Sequence, residues 1–273
     1  TDVYSVFGQV AYDVVEDVEL ALALRYDTEQ RDVDNNVKTC SSSTPTGCRA
    51  PTPLFNFGSN PYINPAYTAN NAYATSGIPD RSKTFSELQP KLSANWAVDE
   101  DVSLFASYGF GFRSGGFNSS GSEATINQYF GGLFYAPGVP NISGVEDDYK
   151  SETSEAAEIG MKSILLDRHL QVNLAAFYTS VDDLQFFNFF AGPFGLLRVV
   201  TNIDEVTIQG IEADFHWNVT DSVSLYGGYS YIDSEIDQYN GRPYTKGNKV
   251  PYAPDYTGNL GVEWLYPMTN SLK

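Results

Sequence analysis

Two cysteines, two histidines and two methionines are all that 273 residues hold of those types. His169 and His216 lie far apart, and neither has a ligand partner at metal spacing, so no metal site is expected. Cys40 and Cys48 sit in a Ser/Thr/Pro-rich stretch, where a disulfide closing a small loop in an oxidising compartment is the better reading. Basic residues are few: 16 Lys and Arg against 34 Asp and Glu leave a net charge of −18. That balance argues against nucleic acid, whose phosphates are met by cations. The acid is scattered over strand faces, turns and loops and reads mainly as solvation, with cationic or metal-bearing ligands a second reading. No apolar run approaches the ~18 residues of a spanning helix, which excludes a helical membrane protein. A phosphate-cradling glycine loop, a Ser/His/Asp set and a Cys/His pair are missing too, so neither an enzyme nor a cofactor is expected. The sequence opens without Met, signal peptide or lipidation signal, as a mature or excised piece would.

Aromatic residues are plentiful. They make up 14% of the chain, with 19 Tyr and 17 Phe, while charged residues stand at 18%. Between Tyr149 and Gln185 the side chains follow a period of two. Ala157, Ile159 and Met161 fall on one face and Glu158, Gly160 and Lys162 on the other. After a turn at Leu166–His169, Leu170, Val172, Leu174, Ala176 and Tyr178 alternate with Gln171, Asn173, Ala175, Phe177 and Thr179. Arms of about a dozen residues exceed the usual ~5–6 of globular strands. They suit the ~9–11 tilted residues that cross hydrocarbon.

The same unit recurs at 3–14, 18–33, 86–98, 102–113, 203–217, 223–234 and 256–266. In the second of these, Arg25, Asp27 and Glu29 keep phase opposite Leu20, Leu22, Leu24 and Tyr26. A water-filled lumen accounts for that arrangement and a buried soluble strand does not. A change of phase after Val206 and Ile208 predicts a β-bulge at Gly210. Short turns alternate with long irregular segments at about 34–84, 114–149 and 235–255, and Phe186–Phe190 with Gly192–Gly195 is expected to form a further loop tip. The expected fold is therefore all-β: part of an antiparallel up-and-down transmembrane β-barrel, with about nine strands.

Several phrases resemble the barrel of TonB-dependent outer-membrane receptors. They are Tyr4–Tyr26, Pro90-Lys91 with Tyr108–Asn118 (YGFGFRSGGFN), Glu152–Lys162 with Asn173–Tyr178 (NLAAFY), and Thr201-Asn202 with Gly210–Glu212. The resemblance covers nearly the whole chain outside the long loops. It implies that residues 1–273 are part of one receptor barrel domain whose plug, TonB-contacting box and final strands are absent, since such barrels close with about 22 strands. It further implies a bacterial outer-membrane location, contact with membrane lipid, plug and TonB, and energised uptake of a scarce nutrient complex. Ferric siderophore is the default ligand; cobalamin and glycans stay open. A passive porin-like channel and a soluble all-β adhesin are the alternative readings.

Candidate ligand residues are Arg113 at a strand exit, the cluster Tyr129, Phe130, Phe134 and Tyr135, and the cluster Phe186, Phe187, Phe189 and Phe190. Such aromatics stack on siderophore rings or sugars, but they equally form interface girdles or a loop's own small core. For Arg113–Asn118 the simpler reading is a glycine-rich exit that bends the backbone.

Overall fold

Alternating polarity fixes which side chains share a face, and pairing then follows from matching those faces across strands. The computed structural model describes residues 1–34, 80–123, 126, 145–192 and 195–266. Cys40, Cys48, Tyr129, Phe130, Phe134 and Tyr135 lie outside the described residues. The strands are β1 (Asp2–Val15), β2 (Val18–Val33), β3 (Arg81–Ala97), β4 (Val102–Arg113), β5 (Gly116–Phe117), β6 (Asp148–Tyr149), β7 (Glu152–Leu165), β8 (Leu170–Gly192), β9 (Gly195–Thr220), β10 (Val223–Gln238) and β11 (Tyr256–Trp264). Nine of them form one antiparallel sheet in the order β1-β2-β3-β4-β7-β8-β9-β10-β11, while β5 and β6 pair separately. The nine strands of the sheet are ordered as in the sequence, with only the small β5–β6 pair intervening between β4 and β7, which is the up-and-down topology. The sheet is open and does not close into a ring among the described residues.

Its apolar face has girdles at both ends. Trp96, Trp217 and Trp264 lie beside the short turns and are exposed, while Tyr26, Tyr108, Tyr178, Tyr229 and Tyr256 stand exposed towards the long loops. Val18 pairs with Trp96 and Tyr26 with Leu88, eight residues further along β2. At ~3.3 Å per residue and a tilt near 40°, that separation is about 20 Å of height, close to the ~25 Å apolar band of outer-membrane barrels. On the polar face of β2 the arginines are paired. Arg25 Nε donates to Asp27 at 2.8 Å, Gln89 donates to the same carboxylate at 2.6 Å, and Arg31 meets Glu29 at 2.7 Å.

Glycine sets the close contacts between strands. The ring of Phe177 lies over its cross-strand partner Gly210, as Phe105 lies over Gly160 and Tyr226 over Gly261. A Cβ on Gly210 would stand 2.3 Å from the Tyr231 carbonyl oxygen and 2.7 Å from the Phe177 ring.

Three expectations are corrected. The ladder runs unbroken through Gly210, which pairs with Phe177 and Ile232, so there is no bulge there. The change of phase is real but lies higher. Val181 and Val206 are buried below it, and Asn188, Phe190, Val199, Thr201 and Ile203 above it, on the opposite parity. The change falls at Asp183 (φ 54°), where the ladder passes from Asp182–Glu205 to Leu184–Ile203. Apolar residues occupy both parities here because Val206 and Ile208 pack in a small core with Ile236 and Tyr239. Second, Phe186–Phe190 is no irregular loop; β8 and β9 continue as a paired hairpin up to Gly192–Gly195. Third, β3 begins at Arg81 rather than 86.

Gly210→Ala is expected to destabilise the folded barrel by about 1–3 kcal/mol through overpacking. Gly228→Ala, whose Cβ would meet nothing nearer than the Asn259 amide at 3.4 Å, is expected to be neutral. Folded fractions in a urea series, read by gel mobility, separate the two.

Candidate functional site

Beyond Glu205–Gln238 the strand β9 parts from β10, and its edge from Gly195 to Asp204 faces no sheet neighbour. Buried peptide groups on such an edge need partners. They find them in the chain that leaves β4 and returns through β6. Asn118 Nδ2 donates to the Val200 carbonyl at 2.8 Å, and the Val200 N–H donates back to Asn118 Oδ1 at 2.8 Å. Asn202 does the converse: its Oδ1 accepts from the Lys150 N–H at 2.9 Å and its Nδ2 donates to the Lys150 carbonyl at 3.2 Å. Each amide side chain takes the place of a peptide group in a strand pair. Gln185 Nε2 adds bonds to the Ser114 and Lys150 carbonyls at 2.9 and 3.1 Å. Arg81 stacks on Phe117 and donates to the Asp147 and Asn118 carbonyls at 2.7 and 2.6 Å.

The glycine-rich exit serves this docking. A Cβ on Gly115 or Gly116 would lie 2.4 Å from the Tyr149 carbonyl or 2.3 Å from its hydroxyl oxygen. Arg113 is largely exposed and stands 3.7 Å from Glu152. A cleft of about 190 Å³ remains between the docked segment and β9, lined by Glu146, Asp148, Lys150, Asp183, Asn202 and Asp204 among others. Three of these four carboxylates are already engaged: Asp183 by Lys150 at 2.9 Å, Asp148 by Lys83 at 2.6 Å and Asp204 by Asn240 at 2.7 Å. The hydrogen bond to Asp183 raises the Lys150 pKa above its ordinary 10.5. A raised base stabilises the docked state below its unfolded pKa, so this contribution holds at neutral pH and is lost only as pH climbs through the folded value.

The hairpin extension carries two unlike faces. Phe190, Leu197 and Val199 are buried with Ile126 and Val145, so Phe190 belongs to a core. Phe187, Phe189 and Leu196 are exposed. Tyr252, from the segment after β10, joins them at φ 67° and 85% exposure. Its ring lies nearly parallel to Phe186 and Phe187, with centroids 6.2 and 6.3 Å away. Phe189 meets Phe187 edge-on at 5.7 Å, and the Arg198 guanidinium sits 5.0 Å from the centre of the Phe187 ring. Flat π-faces with one cation suit a planar or sugar-like ligand ring. The sequence pointed to Phe186, Phe187 and Phe189. It did not point to Tyr252 or Arg198, whose neighbours in sequence carry no aromatic pattern.

The profile of the family described as "TonB dependent receptor-like, beta-barrel" matches residues 1–271. The chain belongs to this family. It is accordingly a protein of the Gram-negative outer membrane, with its girdled apolar face towards lipid. Among curated proteins it is 28% identical over 165 residues to "Probable TonB-dependent receptor BfrD" of Bordetella pertussis, covering 59% of this chain and 18% of that one. It is 30% identical over 108 residues to "Probable TonB-dependent siderophore receptor PiuA" of Acinetobacter baumannii, covering 40% and 13%. Among solved structures it resembles the ferric yersiniabactin uptake receptor FyuA of Yersinia pestis, with TM-score 0.59 and 14% identity over 95% of this chain and 30% of that one. The E. coli ferric-catecholate import receptor Fiu gives TM-score 0.59 and 17% identity over 98% and 32%. The chain thus spans less than a fifth of those curated relatives and about a third of those structures.

Asn118→Ala leaves the Val200 peptide without its partners, at a cost of about 1–3 kcal/mol. Amide exchange at Val200 is expected to accelerate roughly tenfold or more, while Val206 in the continuous sheet is unchanged. Equal rates in both proteins would refute the surrogate-peptide role.

Proposed function

We propose that this chain is part of the barrel wall of a receptor that takes up a ferric siderophore across the outer membrane, driven by TonB acting on a plug. On this reading residues 1–273 belong to one barrel domain, and plug and TonB are partners supplied by the rest of the receptor. The observation that carries it is the aromatic patch of Phe187, Phe189 and Tyr252 with Arg198, raised beyond the sheet on a paired hairpin. A cation among π-faces attracts an anionic chelate in a chain that is otherwise strongly acidic. The names of PiuA and FyuA, which refer to a siderophore receptor and to ferric yersiniabactin uptake, support the ligand class. Arg113 and the Tyr129, Phe130, Phe134 and Tyr135 cluster remain further candidates for contact.

Replacing Phe187 and Phe189 together by Ala removes two aromatic contacts of about 0.5–1.5 kcal/mol each. Uptake of radiolabelled iron with a panel of siderophores is expected to need roughly ten times more ligand for the half-maximal rate. Loss of TonB is expected to abolish uptake outright. Iron entry that survives without TonB would favour a passive channel.

A further inference from the structure

The apolar face of the sheet carries a groove that ligand capture does not use. Its volume is about 440 Å³, and it crosses five strands from Leu104 on β4 to Tyr229 on β10. Strand pairing lays two rows side by side, Ile159–Ala176–Ile211 and Met161–Leu174–Ala213. In each row an alanine stands among larger side chains, so Ala176 and Ala213 leave a trough. Gly160, Ala175 and Glu212 also line it. They belong to the opposite phase, so it is their backbone that reaches this floor. Four strand spacings of ~4.8 Å make the trough roughly 19 Å long. One end lies near the short turn before β4, and the other lies at Tyr229 in the tyrosine girdle.

We propose that this groove seats one acyl chain of an outer-leaflet lipid, with the lipid's polar end at Tyr229. The occupant follows from position. The groove is continuous with the lipid-facing belt, its side-chain walls are apolar, and the exposed phenol at its external end is placed to donate to an ester or amide carbonyl. A chain lying in a trough touches protein on three sides, which multiplies the dispersion contacts of a smooth surface. A second protein copy fits less well, because a stable interface buries roughly 1,200–2,000 Å² and a trough one alanine wide does not admit a strand or helix.

The test is native mass spectrometry of the receptor taken from outer membranes in mild detergent. Wild type is expected to keep one lipid of outer-leaflet mass. Ala176→Phe and Ala213→Phe, which fill the trough, are expected to lose that adduct. Ala94→Phe, on the same face outside the groove, is expected to keep it. Tyr229→Phe preserves the ring and the fold, and is expected to lower the retained fraction severalfold. The proposal is overturned if the trough-filling variants retain lipid as wild type does. It is equally overturned if the adduct is an inner-leaflet phospholipid, or if the groove variants instead break a concentration-dependent dimer. Should both phenylalanine variants fail to fold, unchanged retention in Tyr229→Phe would overturn it alone.

Discussion

The constraint on which the external half of this structure depends is a free strand edge. β9 runs 26 residues, and its upper part outlasts its pairing with β10. Each N–H and C=O left on that edge would cost free energy if buried without a partner. Asn118 and Asn202 resolve this by lending side-chain amides as peptide groups, one from each side of the junction. Everything above the membrane follows. The segment that carries Asn118 must come close, so Gly115 and Gly116 cannot carry a Cβ. Its closure covers one face of the hairpin and leaves the other to display Phe187 and Phe189.

Within the membrane a different constraint rules. Period-two alternation serves lipid on one side and water on the other, and between its neighbouring strands the ladder pairs backbone groups, as hydrocarbon demands. Aromatic rings laid over cross-strand glycines then fix register, since a slip by one residue would carry every side chain to the wrong face. Phe177 on Gly210 and Phe105 on Gly160 therefore act as pins between strands that polarity alone aligns only approximately.

The strands were legible because alternation is a local signal. β2 and β4 have the bounds the sequence suggested, and the short-turn, long-loop rhythm gave the topology. The hairpin extension was not legible, and the reason is physical. Above Asp183 the buried parity is set by the packing of Ile126, Val145 and Tyr239 from distant segments, not by lipid and water. A period of two persists there, but with its sign reversed, and Val206 and Ile208 blurred the change enough to suggest a bulge at the wrong glycine. The roles of Asn118 and Asn202 escaped for a related reason. A buried amide and a solvated one look alike in sequence, although both residues lie in phrases that resemble the receptor family.

The same logic bears on where ligand recognition can sit. A surface that must meet a small ligand repeatedly needs its rings held in one geometry, because ordering a loose loop would subtract from binding. Phe187 and Phe189 are held by a strand ladder, and the ladder is held by the amide junction to the β4–β7 connection. Tyr252, mounted on a short irregular segment, stands against Phe186 and Phe187 through ring contacts. Arg198 lies on the same ladder as Phe187 and Phe189, so on the proposed reading the charge a ligand ring would meet is held in one geometry with them.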